Sequence, residues 1–296
     1  MAVNVSPTLV LAPPPARRPG VWRGFVKRQP LAVFGLVVLA GFLILAVIAP
    51  AILPKDPYET SILTSREPPG REYWFGSDNL GRDVFSRTLL ATRYSILLGL
   101  SATVVALVVS VLIGVGSGYV GGKVDTSVQR LVDAAMGIPF ILFLLLIVNM
   151  AGATFLTIAA VIGFYQGITG SRVVRSAVLG VNEETYVESA RAVGASSWRL
   201  MARYILPNVA APIIIITSLN LGAAILAESG LSFLGYGVQP PEPTWGQMMG
   251  AEARPYVTRA PWMVIFPGIA LSLAVFSINV LGDGLRDALD PRLRGS

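Results

Sequence analysis

Residues 134–171 read AAMGIPFILFLLLIVNMAGATFLTIAAVIGFYQGITGS, 38 residues without a single Asp, Glu, Lys or Arg. Wound into one helix at about 1.5 Å per residue, the stretch would be about 57 Å long. That is nearly twice the ~30 Å hydrocarbon core of a bilayer. It therefore predicts two membrane spans, with the turn marked by Asn149, Gly152 and the small residues around them. Pro139 is expected to kink the first of the two. Four more apolar stretches flank this pair: Leu31–Leu53, Ser95–Gly118 within a charge-free run from Tyr94 to Gly122, Tyr204–Ala227 and Ala260–Gly282. Each is long enough to cross a bilayer as a helix. The expectation is an all-α membrane protein with six transmembrane helices.

Composition agrees. Hydrophobic residues make up 53% of the 296-residue chain and charged residues only 14%, against about 25% charged in ordinary soluble domains. Mean hydropathy is +0.65. The net charge of +6 sits mainly in segments flanking the apolar runs, which points to an anionic lipid surface rather than to nucleic acid. With six spans both termini share one side. That side then carries fifteen of the Lys and Arg residues and the other side eight, so the charge bias places both termini in the cytoplasm.

The chain divides accordingly. Residues 1–20 form a Pro-rich tail, expected to be disordered and cytoplasmic. Its first basic residues are Arg17 and Arg18, the reverse of signal-peptide order. Residues 21–53 hold a basic cytoplasmic segment and the first span, and 54–93 an extracytoplasmic loop. Residues 94–282 hold five spans together with a cytoplasmic helical segment at 172–208, and 283–296 a cytoplasmic tail.

Chemistry is restricted by what is missing. The chain has no Cys and no His, which removes thiolate nucleophiles, imidazole bases and the commonest metal ligands. Gly116-Ser117-Gly118-Tyr119-Val120-Gly121 has the spacing of a dinucleotide fingerprint but ends an apolar helix instead of following a strand. The glycine spacings 114/118 and 118/122 fit close helix packing better. Gly122-Lys123 lacks the remaining residues of a phosphate loop, having Ser117 and Val124 where Gly and Ser or Thr are required. No ATP site is expected in this chain.

The segment 172–208 is the most informative. Tyr186-Val187-Glu188-Ser189-Ala190-Arg191-Ala192-Val193-Gly194 is followed, nine residues on, by Tyr204-Ile205-Leu206-Pro207-Asn208. This reads as a short helix, a turn at Gly194 and a second short helix, closed by Pro207. Glu188 and Arg191 are spaced to pair on one face. Ser189, Ala190 and Ala192 are small enough to let a partner surface approach. The pattern resembles the EAA loop of ATP-binding-cassette (ABC) importer permeases, EAA-x3-G-x9-I-x-L-P. Glu188, Ala190, Gly194, Leu206 and Pro207 match it, with Ser189 for the first Ala and Tyr204 for the Ile. Three further stretches resemble the dipeptide, oligopeptide and nickel branch of that family, in its C-type permease subunit. They are Trp74 to Arg87, including Phe75, Gly76, Asp78, Gly81, Arg82 and Asp83; Leu231 to Pro241; and Leu281 to Leu293.

The resemblance implies a type I ABC importer permease core formed by spans two to six, with the first span packed outside. It implies a bacterial inner-membrane protein that handles di- or oligopeptides by alternating access. Expected partners are a homologous second permease, two ATPase subunits carrying ATP and Mg, an extracytoplasmic substrate-binding protein and membrane lipid. This chain itself would bind no cofactor, and Glu188 to Arg191, Gly194, Leu206 and Pro207 would couple it to the ATPases. Relatives with this signature also carry a nickel chelate, glutathione, opines or oligosaccharides. An ion-coupled secondary transporter would need titratable groups at mid-membrane, where only Glu228 comes near. Glu228, at the end of the fifth span, reads equally as a pathway or gate residue near the outer mouth and as an interfacial carboxylate in water. An intramembrane enzyme would need paired carboxylates in one span, and none are present. Asp125 and Asp133, at the inner start of the third span, read as interfacial or structural.

Overall fold

A computed structural model describes residues 29–289; the expected tail at 1–20, the basic part of 21–53 and the last residues of 283–296 lie outside them. The principal helices are α1 (Pro30–Ile52), α2 (Val84–Val120), α3 (Gly122–Met136), α4 (Phe140–Ala151), α5 (Phe155–Asn182), α6 (Thr185–Ala192), α7 (Ala210–Phe233) and α8 (Trp262–Leu289). Short helical turns link α6 to α7 at Ser197–Ile205, and α7 to α8 at Trp245–Tyr256.

The bundle is organised on a parallel pair, α2 and α5, whose backbones approach through glycine. A Cβ on Gly163 would stand 2.3 Å from the Ala102 carbonyl oxygen, and one on Gly167 2.5 Å from Val109. Toward the far end, Gly114 lies against Ser171 and Val174, and Gly118 against Val178. The two glycine pairs thus interlock from both helices. In hydrocarbon, where apolar surface gains nothing by meeting apolar surface, this close backbone contact is a principal source of helix association. The 114/118 spacing is therefore a packing motif. The 118/122 spacing is not: Gly122 meets nothing within 4 Å, and with Gly121 it makes a turn of two consecutive left-handed residues (φ +57 and +67).

Around this pair, α8 packs antiparallel on α1, with Gly35 against the Ser277 carbonyl and Phe34 edge-on to Phe276. It also packs on α7, with Gly222 against Asn279 and Gly282 against Ser218. Gly99 of α2 seats Ile225 of α7.

Several boundaries differ from the sequence reading. Pro139 does not kink a continuous span. The helix ends at Met136, α4 begins at Phe140, and the two are bent by 85°. Only 12 residues of α4 remain, about 18 Å at 1.5 Å per residue, too short for the full core. The preceding α3 is amphipathic and is tied to α5 by the ion pairs Asp133–Arg172 and Asp125–Arg175, the latter with Nε–Oδ1 at 2.6 Å. The two aspartates are thus structural.

By length and apolarity α1, α2, α7 and α8 qualify as spans, and a fifth is reached if α3 and α4 count as one bent span. The expected six are not reached on that measure. The fourth expected span, α5, carries Gln166, Arg172 and Arg175 and lies among other helices instead of presenting a uniformly apolar surface. Helices also overrun the assigned segments. α2 begins at Val84, inside the expected 54–93 loop, α5 continues to Asn182 and α8 to Leu289.

Leucine at Gly167 should overpack the α2–α5 contact, at about 1–3 kcal/mol, and lower the melting temperature of the purified protein. Alanine at Gly116, where a Cβ meets nothing within 4 Å, should leave it unchanged. Equal melting of the two variants would contradict the spine described here.

Candidate functional site

The two ends of the bundle carry different chemistry. At one end, α6 (residues 185–192) turns back at Gly194 onto the helical turns 197–205. Gly194 has φ +83 and closes a Schellman motif, in which its N–H donates to the Arg191 carbonyl (3.0 Å) and that of Ala195 to the Ala190 carbonyl (3.1 Å). Glycine is placed here because a left-handed residue ends the helix cheaply only without a Cβ.

The residues predicted for this element divide between its two faces. Ala190 is buried with Val187 and Leu200, so its small size serves internal packing and not the approach of a partner. Glu188, Ser189, Arg191 and Gly194 are exposed, and so are Leu206 and Pro207 at the entry to α7. Glu188 does not pair with Arg191 in the structure. The Arg191 guanidinium instead donates to Asn182 Oδ1 at 2.9 Å, anchoring α6 to the end of α5. Sequence reading missed the most exposed apolar side chains here, Val193 and Trp198, at 85% and 75% exposure. They stand on either side of Gly194, and an apolar pair held out on a rigid turn is what an interface anchor requires. A tryptophan in an otherwise polar loop is the signal that could have found them.

At the opposite end, the 74–87 stretch is a structural lock. Asp83 caps α2, accepting from Ser86 N at 2.8 Å and Ser86 Oγ at 2.6 Å. Gly76 and Gly81 are left-handed, and a Cβ on Gly81 would fall 1.9 Å from the Ser61 carbonyl oxygen. Phe75 stacks on Phe266 of α8 at 3.8 Å.

Asp78, Arg82 and Arg87 join Glu252, from the turn before α8, in a buried four-charge network. Arg82 Nε donates to Asp78 Oδ2 at 2.6 Å and Arg82 Nη2 meets Glu252 Oε1 at 3.0 Å. Arg87 Nη2 donates to both Glu252 oxygens at 2.8 and 3.0 Å. Two positive and two negative charges leave the cluster neutral, the condition on which charges can be buried. Glu252 was not foreseen, because it meets the two arginines only through the fold. Trp245, fully buried, fixes the same turn by donating Nε1–H to the Thr88 carbonyl at 3.3 Å.

Glu228 lies in α7 close to this turn. It is 1% exposed, which rules out the reading as a carboxylate standing in water. Oε1 accepts from Ser232 Oγ at 2.6 Å, and among the described residues no cation contacts it. Gly246 and Gly250 bring the turn onto α7, against Ser229 and Phe233. Beside it opens a pocket of about 300 Å³, lined by Arg82, Ser232, Glu252 and their neighbours. In or near it, Asn79 Oδ1 and Gln247 Oε1 are buried without a hydrogen-bond partner. So is Gln166 Oε1 in α5. Each such orphan costs about 1–3 kcal/mol.

Comparison with known proteins adds the following. The sequence model of binding-protein-dependent transport system inner membrane components matches residues 110–295. That of the N-terminal transmembrane domain of oligopeptide transport permease C matches residues 20–69. The chain is 36% identical over 269 residues to the dipeptide transport system permease protein DppC of Alkalihalophilus pseudofirmus, covering 91% of this chain and 88% of that one. It is 36% identical to the oligopeptide transport system permease protein OppC of Bacillus subtilis (93% and 90%). Identity is also 36% to the glutathione transport system permease protein GsiD of Pectobacterium atrosepticum (92% and 90%). In fold it resembles an inward-facing form of the MetNI methionine ABC transporter, with a TM-score of 0.53 at 18% identity, over 68% of this chain and 96% of the other.

Glu252→Gln should leave Arg87 (0% exposed) and Arg82 with half their counter-charge. The expected loss is about 3–5 kcal/mol, read as a lower melting temperature of the solubilised protein. Glu72→Gln, which breaks the exposed Lys55–Glu72 pair, should cost under about 1 kcal/mol. Similar losses in both would contradict the lock.

Proposed function

The chain belongs to the binding-protein-dependent transport system inner membrane components, and from that membership we propose that it is the C-type permease subunit of an ABC importer of dipeptides or oligopeptides. It forms half of the translocation pathway beside a homologous second permease. Two ATPase subunits, which hold ATP and Mg, dock on the α6 end in the cytoplasm. A substrate-binding protein delivers cargo at the end carrying residues 54–83, outside the cell. The single observation that carries this reading is the α6–Gly194 turn, which packs Val187 and Ala190 with Val181 of α5 and presents exposed Val193 and Trp198. The names of the dipeptide and oligopeptide relatives support the cargo. The glutathione relative, equally identical, favours a second reading in which the cargo is a modified tripeptide.

The mechanism is geometric. The chain supplies no nucleotide site and makes or breaks no bond. Closure of the ATPase pair moves α6. Because α6 is tied to α5, and α5 is interlocked with α2, the displacement travels along the bundle as a rigid-body shift. At the other end it moves the Trp245–Glu252 turn and Glu228 of α7, which line the outer mouth of the pathway in this reading.

Two measurements test this account. For coupling, the assembled complex with its ATPases is purified carrying Trp198→Glu or Gly194→Val. Trp198 is exposed, so its replacement leaves folding intact and should cut uptake and substrate-stimulated ATP hydrolysis at least about tenfold, the scale of an interface anchor. Gly194→Val strains a left-handed residue by about 1–3 kcal/mol and should act the same way. Normal uptake with ATPases bound in both variants would sink the coupling role.

For orientation, the absence of native cysteine allows single-cysteine labelling at Leu63 and Trp198, both exposed. An impermeant maleimide applied to intact cells should modify Leu63→Cys and leave Trp198→Cys unmodified. The opposite pattern would invert the topology.

A further inference from the structure

The pocket at the 54–83 end combines three features. First, its cationic and hydroxyl donors are already committed: Arg82 to Asp78 and Glu252, Ser232 to Glu228. Second, two of its lining residues, Asn79 and Gln247, carry side-chain amides whose oxygens are orphaned. Their oxygens are buried without a hydrogen-bond partner among the described residues. Gln247 is itself 4% exposed. Third, Ser232 connects the pocket to Glu228 in the interior of α7 by a 2.6 Å hydrogen bond.

A side-chain amide offers one acceptor and two donors, and turning it about its last torsion exchanges their places. Its natural complement is another amide, which accepts through C=O and donates through N–H. Buried polar groups in folded proteins are satisfied, and an orphan calls for a missing partner. Two orphaned amide oxygens beside one pocket call for a ligand that brings N–H donors in sequence, as a peptide main chain does. About 300 Å³ lies at the lower end of ligand-holding cavities, room for a segment of chain and not for a large solute.

We infer that this pocket is a subsite that binds the main chain of the cargo peptide, with the Gln247 and Asn79 side-chain amides pairing to its peptide group. Recognition of this kind reads no side chain. It suits a carrier that passes peptides of varied sequence. The inference rests on the peptide-importer reading and assigns residues within it.

The test uses the full complex, with its second permease, ATPases and binding protein, reconstituted in liposomes. Uptake of an ordinary dipeptide is compared with that of the same dipeptide N-methylated at its peptide bond, which cannot donate. The unmodified chain should prefer the ordinary peptide, and Gln247→Leu should shrink that preference about tenfold, since a site built to hydrogen-bond a group discriminates strongly against its absence. Asn79→Leu, at a partly exposed position, should shrink it too and guards against a Gln247 variant that fails to fold. A purely structural role would lower both rates and keep their ratio. In parallel, Leu80→Cys on the pocket wall should cross-link to a maleimide-bearing dipeptide, and excess plain dipeptide should block the reaction. An unchanged ratio in both Leu variants overturns the inference, and so does labelling of Leu80→Cys by the maleimide-bearing dipeptide that excess plain dipeptide does not block. Failure of the unmodified complex to take up any peptide overturns the importer reading instead.

Discussion

The contact on which the rest of the structure depends is the glycine-mediated packing of α2 on α5. Gly163 and Gly167 on one helix and Gly114 and Gly118 on the other bring the two backbones within reach of each other along most of their length. Apolar side chains in a bilayer gain little by leaving lipid for protein, so close packing and internal hydrogen bonding must hold the helices together. Both long helices also outreach the hydrocarbon core. α2, at 37 residues, spans about 55 Å at 1.5 Å per residue, and α5 runs on to Asn182. The spine therefore has one end in the buried charge network and the other at α6, and it joins the two chemically distinct ends of the molecule.

Polar groups are distributed to match. Arg82 and Arg87 sit where α2 begins, and their charges are cancelled by Asp78 and Glu252 instead of by water. That cancellation draws the 74–87 stretch, the start of α2 and the turn before α8 into one unit. The Asp125–Arg175 and Asp133–Arg172 pairs do the same for the amphipathic α3 at the α6 end. Glu228 differs, a buried carboxyl group held by serine hydroxyls with no cation in contact among the described residues. Groups of that kind inside membrane bundles mark functional interiors more often than structural ones.

Much of this was legible in the sequence, and the limits have physical causes. The apolar runs located α1, α2, α7 and α8 because a bilayer demands about 20 apolar residues per crossing. In residues 134–171 the expected turn at Gly152 parts two helices, Phe140–Ala151 and Phe155–Asn182, but the start of the first was misplaced. A charge-free run fixes how much chain can enter lipid but not where it bends, and Gly137 to Pro139 broke it into α3 and a half-length α4. Helix ends were placed too early wherever charge was taken as the boundary, because α5 and α8 keep winding past Arg172 and Asp283 once neighbouring helices or water satisfy those residues. Gly194 and Glu228 were found from local pattern. Glu252, Trp198 and the inward orientation of Ala190 were not, since each depends on contacts between segments distant in sequence or on which face of a short helix meets the bundle.

The central claim is that the chain moves as one rigid body from α6 to the end that carries the buried charge network. The most direct measurement is a spin-label distance within this chain in the assembled transporter, between cysteines placed at Ser189 and Leu80, with and without trapped ATP. A second distance is taken from the Ser189 label to a label on the second permease proposed above. The account predicts an unchanged distance within the chain and a changed distance between the two permeases. A change within the chain comparable to the change between chains would contradict it.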